Sequence, residues 1–369
     1  SLLKDDYKLS TGLFSPPTTG LAILAWLIIL ALAIKVRRAV PGFSAGVGIF
    51  LVGHLMESTI FPLLLYFEHR NYLPAIGVFW SAAALIAWLY PRMAPAMDNP
   101  RKILGGALIL LFVALTAATY ARSTVWQSAE RLALQSLQSS GDSRHVRMEL
   151  ARIALAKPVP DVQAARTHAR HLTTLERSST RLIGHLMQLL IDCQHSQAAD
   201  AETVKKAFAI TPDTMEADLF HAIDVLTNVT SRSECKNLRP GAFASYLAGL
   251  ADTSSLSENS KLIWRIRFNS AKLYYQSGNL PSAREQAAQA WRTGNDKSVG
   301  MMLVGLEINL GQFDSASDLL EEVTVLIPTA DRKGQQLIDT YEAAINQRLL
   351  EDFRPGPNKL LNLEAETNH

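Results

Sequence analysis

Two hydrophobic patterns divide the chain near residue 122. Before that point long uncharged apolar stretches recur, whereas after it charges are spread evenly among the apolar residues. A helix of about 20 apolar residues crosses the hydrocarbon core of a bilayer, because each residue adds about 1.5 Å to its length. The first pattern therefore predicts membrane-spanning helices, and the second predicts amphipathic helices of ordinary length.

Four apolar stretches are long enough to be spans, and the Gly residues within them would let neighbouring helices approach closely. They cover residues 18–34, 43–67, 73–90 and 103–120. We therefore predict an external segment over 1–17 and a transmembrane region of about four helices over 18–122.

Basic residues at the ends of these stretches predict the orientation in the membrane. Lys35, Arg37 and Arg38 follow the first stretch, and a second basic group (Arg92, Arg101, Lys102) lies between the third and the fourth. Short loops rich in Lys and Arg remain on the cytoplasmic side. We therefore expect the start and the end of the chain to lie outside, in the periplasm if this is a bacterial inner-membrane protein, or else in the lumen of a eukaryotic secretory compartment.

The second stretch contains two ionisable residues. His54 and Glu57 are three residues apart and would share one face of a helix. Ionisable groups are costly inside a membrane and usually face a bundle interior or a wet cavity, which makes this face a candidate substrate site. The alternative is a structural hydrogen bond between helices, with Glu57 protonated.

The turn after this stretch concentrates four more candidate residues. Glu68, His69, Arg70 and Tyr72 lie in a short external connection between two spans. Arg70 could pair with a phosphate, and Glu68 or His69 could move protons. Alternatively, the turn is a plain anchor, because Arg and Tyr are common at headgroup depth.

The residues after the last span predict an all-α domain. Apolar residues follow helical spacing, as in Leu182, Leu186 and Leu189, and no stretch alternates as a strand would. The segment starting at Gly278 resembles the segment starting at Gly311, and 33 residues separate their matching positions. This spacing is close to the tetratricopeptide (TPR) period of about 34 residues. We predict degenerate helical repeats over 123–255 and a TPR-like α-solenoid with a tail over 256–369.

Cys193 and Cys235 are the only cysteines, and both lie in the domain that we place outside. An external compartment permits a disulfide between them, although two buried free thiols are the alternative. His168 and His171 have arginine neighbours, so a solvated helix face is favoured over a metal site. We predict no metal site.

Composition and motifs narrow the function. The net charge of +2 provides no electrostatic reason to expect a nucleic-acid partner. The sequence has no Walker loop, Rossmann fingerprint, nucleophile elbow or zinc motif. It begins Ser-Leu-Leu-Lys without an initiator Met or a signal peptide, so we expect an N-terminal portion to precede it.

The stretch from His54 and Glu57 to the Glu-His-Arg-Asn-Tyr turn at 68–72 precedes two more spans and TPR-like helices. This arrangement resembles the C-terminal half of bacterial polytopic TPR proteins related to the TMTC-type protein O-mannosyltransferases, which belong to the GT-C glycosyltransferase class. The resemblance covers most of the chain in architecture, but only residues 54–74 in motif. In a comparable place, we expect Trp126 to open the first soluble helix.

The resemblance implies a transferase that uses a polyprenyl-phosphate-linked sugar at the external membrane face. Arg70 and Tyr72 would approach the lipid phosphate, with Glu68 and His69 beside them. The family's acidic catalytic motif lies in an early external loop, so we expect the catalytic residue to lie upstream of this chain. The TPR groove would then present a protein acceptor.

The competing hypothesis is a non-catalytic, membrane-anchored TPR scaffold that assembles envelope proteins. It requires only packing from His54 and anchoring from Arg70. A relative of O-antigen polymerases or ligases would share the external polar turn, but no residue specifically favours that class.

Overall fold

The computed structural model describes residues 12–14, 17–58, 72–96, 99–232, 235–253 and 262–347. Within these ranges the helices are all α-helices or 3₁₀ turns with no strand, and an isolated parallel bridge joins Ala198 and Lys236. The predicted all-α class is therefore confirmed. The chain divides after Ile153 into two compact units.

The first unit contains the apolar helices and two shorter helices, the second of which continues two residues past the division. They are α1 (Thr18–Val36), α2 (Pro41–Ser58), α3 (Tyr72–Met93), α4 (Pro100–Val125), α5 (Ala129–Ser139) and α6 (Arg144–Leu155), with a short 3₁₀ turn at Ala94–Ala96.

Three of these helices, α1, α3 and α4, are long and apolar enough to cross a membrane. The predicted second span reaches residue 67, but the structure describes α2 only as far as Ser58, and its apolar part, Pro41–Leu55, is shorter than the other three. Residues 59–67 lie outside the described ranges, so a span at this position stays a prediction.

Helices α2 and α3 pack at very close range through small residues. A Cβ added to Gly46 would lie 2.5 Å from the carbonyl oxygen of Gly77 and would overlap the Ser81 hydroxyl. Ser81 Oγ donates to the carbonyl oxygen of Phe43 at 3.2 Å. Only a residue without a side chain leaves room for this approach, which is how helices associate where no hydrophobic effect drives them together.

The α2–α3 pair is antiparallel. Gly42 lies opposite Ala84, whereas Gly53, farther along α2, lies opposite Pro74 at the start of α3. The carboxyl end of α2 and the amino end of α3 therefore lie at the same end of the pair.

Helix α4 is continuous from Pro100 to Val125, and none of its residues is buried. Trp126 forms its C-terminal cap and donates its backbone N–H to the Ser123 carbonyl oxygen at 3.1 Å. The next helix, α5, begins at Ala129, where the Ser128 side chain caps it. Trp126 therefore ends the apolar helix, and the expectation that it opens the first soluble helix is wrong.

The second unit contains ten described helices. They are α7 (Val162–Leu172), α8 (Ser178–Ser196), α9 (Ala201–Phe208), α10 (Ala217–Arg232), α11 (Pro240–Asp252), α12 (Ile263–Gln276), α13 (Leu280–Gly294), α14 (Lys297–Asn309), α15 (Phe313–Thr324) and α16 (Arg332–Gln347).

These helices pack mostly in chain order. Helix α8 contacts α7, α9 and α10, and α12 contacts α10, α11 and α13. Helix α14 contacts α13, α15 and α16, and every residue from Val299 to Ile308 is buried. Successive neighbours thus cover the apolar face that no single amphipathic helix could bury alone.

The two predicted repeats form the same local structure. Gly278 and Gly311 have φ angles of 78° and 74°, and each ends one helix of a hairpin. After Gly278, Asn279 donates its backbone N–H to Tyr274; after Gly311, Gln312 donates to Glu307 in the same way. A glycine in the left-handed region with this i to i−5 bond is the Schellman helix end. The 33-residue spacing therefore corresponds to two equivalent helical hairpins, α12–α13 and α14–α15.

Helix α8 receives its N-terminal cap from a residue far along the chain. The Asp213 carboxylate accepts hydrogen bonds from the Ser179 backbone N–H at 2.8 Å and the Ser178 hydroxyl at 3.2 Å, and Arg177 lies 3.6 Å away. Burial acts to raise the pKa of Asp213, but the hydrogen bonds from Ser179 and Ser178 outweigh it and lower this pKa from 3.8 to about 2. The cap depends on the ionised carboxylate.

We expect Asp213→Ala to lower the free energy of unfolding by about 1 kcal/mol at neutral pH, because it removes this cap. The unfolded chain binds the proton more tightly, so the stabilisation is complete above pH 4 and disappears as the pH falls through about 2. Urea unfolding across this range should show a weaker acid dependence in the variant. Asp318→Ala, at an exposed position on α15, is the control, and an equal change there would contradict the capping role.

Candidate functional site

The candidate residues that the structure describes lie at one end of the α2–α3 pair. His54 is in the last turns of α2, and Tyr72 is the first residue of α3. Because Gly53 contacts Pro74, these two residues lie at the same end. This end is opposite to the one that carries Lys35, Arg37 and Arg38.

His54 continues an aromatic row from α1. The rings of Trp26 and Phe50 stack with their centroids 5.1 Å apart, and the imidazole of His54 is tilted against Phe50 at 4.6 Å. The imidazole is half-buried in this row, so its orientation is set by ring packing. Phe50 and Trp26 are the residues that the sequence reasoning missed; the aromatic residue four positions before His54 was the available signal.

The other candidates are only partly described. The backbone of Glu57 belongs to the last turn of α2, three residues after His54, but its side chain is outside the described part. Tyr72 is 72% exposed and lies at the end of a span, as an interfacial tyrosine would. Glu68, His69 and Arg70 lie outside the described residues.

An open groove of about 590 Å³ follows the amino-terminal half of α1. The pairing of Trp26 with Phe50 places this half of α1 beside the His54 end of α2. The groove is shallow and mainly apolar, with two hydroxyls at its start. It is lined by Thr18, Thr19, Ala22, Ile23, Trp26 and Leu27.

In the second unit, Cys193 and Cys235 form a disulfide with an S–S distance of 2.07 Å. The bond joins α8 to the segment before α11, where Ala199 and Lys236 also share a backbone hydrogen bond of 2.8 Å. Both cysteines are almost fully buried. Residues 235–237 are therefore held against the end of α8 by covalent and hydrogen bonds together.

A polar network crosses from α10 to α12 in the same unit. Arg265 pairs with Asp224, and Asn269 donates to the other carboxylate oxygen of Asp224 at 2.5 Å. Arg265 and Asp224 remain partly exposed, whereas Asn269 is buried. Among the described residues, no group of three or more His, Cys, Asp or Glu side chains is placed to hold a metal ion.

No protein-family model, curated protein or solved structure matches the chain.

Proposed function

We propose that the protein is a membrane-anchored scaffold whose second unit binds a protein partner on the external side of a bacterial inner membrane. The observation that carries this proposal is the repeated hairpin of α12–α13 and α14–α15, with equivalent glycine ends at Gly278 and Gly311. Stacked helical hairpins of the TPR type commonly present an extended surface to peptides and proteins.

The disulfide supports the external side. Disulfides persist in oxidising compartments such as the periplasm and are rare in the cytoplasm, where thiols are kept reduced. The Cys193–Cys235 bond thus agrees with the orientation predicted from Lys35, Arg37 and Arg38. The two arguments are independent, because one rests on the second unit and the other on the ends of the spans.

The α10–α12 network supports a protein ligand. Arg265 and Asp224 provide both a donor group and an acceptor group on one partly exposed face. The main chain of an extended peptide also has donors and acceptors in alternation. The buried Asn269 side chain fixes the Asp224 carboxylate through a hydrogen bond, so this face is preorganised for such contacts.

The scaffold proposal is tested by shortening the membrane region. A chain of residues 100–369 keeps α4 and every later helix. In cells that lack the full protein, we expect this shorter chain to restore the wild-type phenotype, provided that its second unit is exported. Failure to complement, despite normal membrane levels and an intact disulfide, would contradict a role that needs only an anchor.

We propose glycosyl transfer from a polyprenyl-phosphate-linked sugar as the second candidate function, in which this chain is the C-terminal part of a GT-C-like enzyme. The observation that favours it is the convergence of His54 and Tyr72 beside the apolar groove of α1. The groove would hold the isoprenoid chain, while His54, Glu57 and the turn containing Glu68, His69 and Arg70 would meet the phosphate and sugar. The second unit would then present the acceptor protein.

This second function predicts a large effect of His54→Phe in the full-length protein. Phenylalanine preserves the ring contact with Phe50 but cannot donate a proton or a hydrogen bond, so we expect glycan transfer to fall by about 10²-fold or more. Incorporation of labelled sugar into membrane protein measures it, with Glu57→Ala and Arg70→Ala as further substitutions.

Val52→Phe, at a position 70% exposed on the same helix, provides a control of equal ring size. If the His54→Phe, Glu57→Ala and Arg70→Ala variants all retain full transfer, the enzyme proposal is wrong. If these variants lose transfer while the shorter chain of residues 100–369 still complements cells that lack the protein, the transferase and scaffold roles are separable.

A further inference from the structure

We propose that the basic end of the α1–α3 helices is a binding site for the headgroup of an anionic phospholipid. This inference concerns the end opposite to His54 and does not depend on either proposed function. It rests on four cationic side chains, on the ring against which one of them stacks, and on the absence of acidic residues other than Glu57 from the described parts of α1, α2 and α3.

The cations come from two connections that the fold brings to one end. Lys35, Arg37 and Arg38 lie at or after the last turn of α1, and Arg92 is in the last turn of α3. Gly42 lies opposite Ala84. Arg92 is two helical turns beyond Ala84, about 12 Å, in the direction in which the α1–α2 turn also projects.

Trp88 joins these two connections. Its side chain packs against the buried cluster of Ala33, Val40, Phe43 and Val47, whose members come from the end of α1, the α1–α2 turn and the start of α2. The guanidinium carbon of Arg92 lies 3.9 Å from the centroid of the Trp88 ring, and Arg92 Nη1 donates to the Trp88 carbonyl oxygen at 2.5 Å. Arg92 is therefore held against Trp88, at the end of the helices where the α1–α2 turn also lies.

The charge at this end is uncompensated along the described parts of α1, α2 and α3. The only acidic residue in residues 17–58 and 72–96 is Glu57, which is at the far end of α2. Four positive charges thus share one end of these helices without a carboxylate from their described parts, and an anion would lower their mutual repulsion.

Two features favour a phosphate. Arg92 uses one N–H of five for the Trp88 carbonyl, and its planar fork matches phosphate oxygens better than a lysine would. At the end of a membrane span, the phosphate that is always present belongs to a lipid headgroup.

The test uses the full chain in nanodiscs of phosphatidylcholine, with or without phosphatidylglycerol. Lipid binding is measured by native mass spectrometry, and the shift in Tm is measured in parallel. We expect phosphatidylglycerol to bind and to raise the Tm. The triple variant Arg37→Gln/Arg38→Gln/Arg92→Gln should bind it about 100-fold more weakly.

A charge-matched control separates a site from general attraction. Arg131→Gln/Lys205→Gln/Arg292→Gln removes the same charge from exposed positions of α5, α9 and α13, outside the basic ends of the apolar helices, and we expect it to leave phosphatidylglycerol binding nearly unchanged. An equal loss in both triple variants would overturn the proposal, as would no loss in either. Inorganic phosphate in phosphatidylcholine nanodiscs should produce no rise in Tm; an equal rise would indicate a site for free phosphate instead.

A milder substitution decides the question if the triple variant does not fold. Arg92→Lys keeps the charge but removes the planar fork, so we expect about tenfold weaker binding of phosphatidylglycerol with normal folding. Unchanged affinity in Arg92→Lys would then overturn the role of Arg92.

Discussion

Replacing Gly46 by Leu should separate α2 from α3 and lower the stability of the first unit by about 3 kcal/mol or more. Even a single Cβ at this position would meet the carbonyl oxygen of Gly77 at 2.5 Å and the backbone nitrogen of Ser81 at 2.8 Å. These are backbone atoms of a neighbouring helix, so they cannot turn aside as a flexible side chain can. The helices must move apart and lose the Ser81–Phe43 hydrogen bond.

This effect is measured by thermal unfolding of the full chain in detergent. The signal is the fraction of protein that remains monodisperse after heating. Gly48 provides a matched control on the same helix, because a Cβ added there meets nothing within 4 Å. We therefore expect Gly48→Leu to unfold near the wild-type Tm. A Gly46→Leu protein that is as stable as Gly48→Leu would show that α2 and α3 do not depend on this close approach.

Removal of the disulfide should destabilise the second unit by about 4 kcal/mol, from the loop-closure relation for 42 residues between Cys193 and Cys235. In the double variant Cys193→Ala/Cys235→Ala the unfolded chain is no longer cross-linked between positions 193 and 235, so its conformational entropy is higher. The loss should be largest locally, because the bridge between Ala198 and Lys236 lies beside the bond.

Urea unfolding measures the global loss, and hydrogen exchange at the amides of Ala199 and Lys236 measures the local loss. Both amides donate backbone hydrogen bonds in this region, to Lys236 and Gln197 respectively. Wild-type protein under reducing conditions is the control and should approach the double variant, which itself should not respond to reductant. If reductant leaves the wild-type unfolding curve unchanged, the bond does not stabilise this unit.

Three of the four predicted spans correspond to helices long and apolar enough to cross a membrane, but the ends of these helices were not predicted. The predicted stretch 103–120 became Pro100–Val125, and 73–90 became Tyr72–Met93. A hydropathy pattern stops at the first charged or polar residue. A helix, however, depends on backbone hydrogen bonds, and Arg92 or Arg122 can continue it while the side chain reaches the interface.

The contacts between elements could not be predicted from local patterns. Gly42 and Gly46 form a visible small-residue motif, and so do Gly77 and Ser81, but neither indicates its partner or register. That pairing depends on residues more than 30 positions apart. Similarly, the cysteine count limited the pairing to one choice, whereas bond formation depends on where α8 ends and α11 begins.

The candidate site shows the same limit. The spacing of His54 and Glu57 predicts one helical face, since that property is local, and the backbones of both residues do belong to α2. The aromatic row that orients His54 also includes Trp26 from α1, which no periodicity connects to it. The cap provided by Asp213 to α8 is likewise non-local, at 34 residues from Ser179.

The short connection between α4 and α5 has a mechanical consequence. Only Trp126, Gln127 and Ser128 separate the two helices. The first and the last of these residues are each hydrogen-bonded to the adjoining helix, Trp126 to Ser123 and Ser128 to Arg131. Fully extended, three residues span only about 10 Å. A force applied to the α5–α6 pair would therefore be transmitted directly to α4, because the link is too short to extend much. Tension on these helices would thus act on the apolar helix α4 itself.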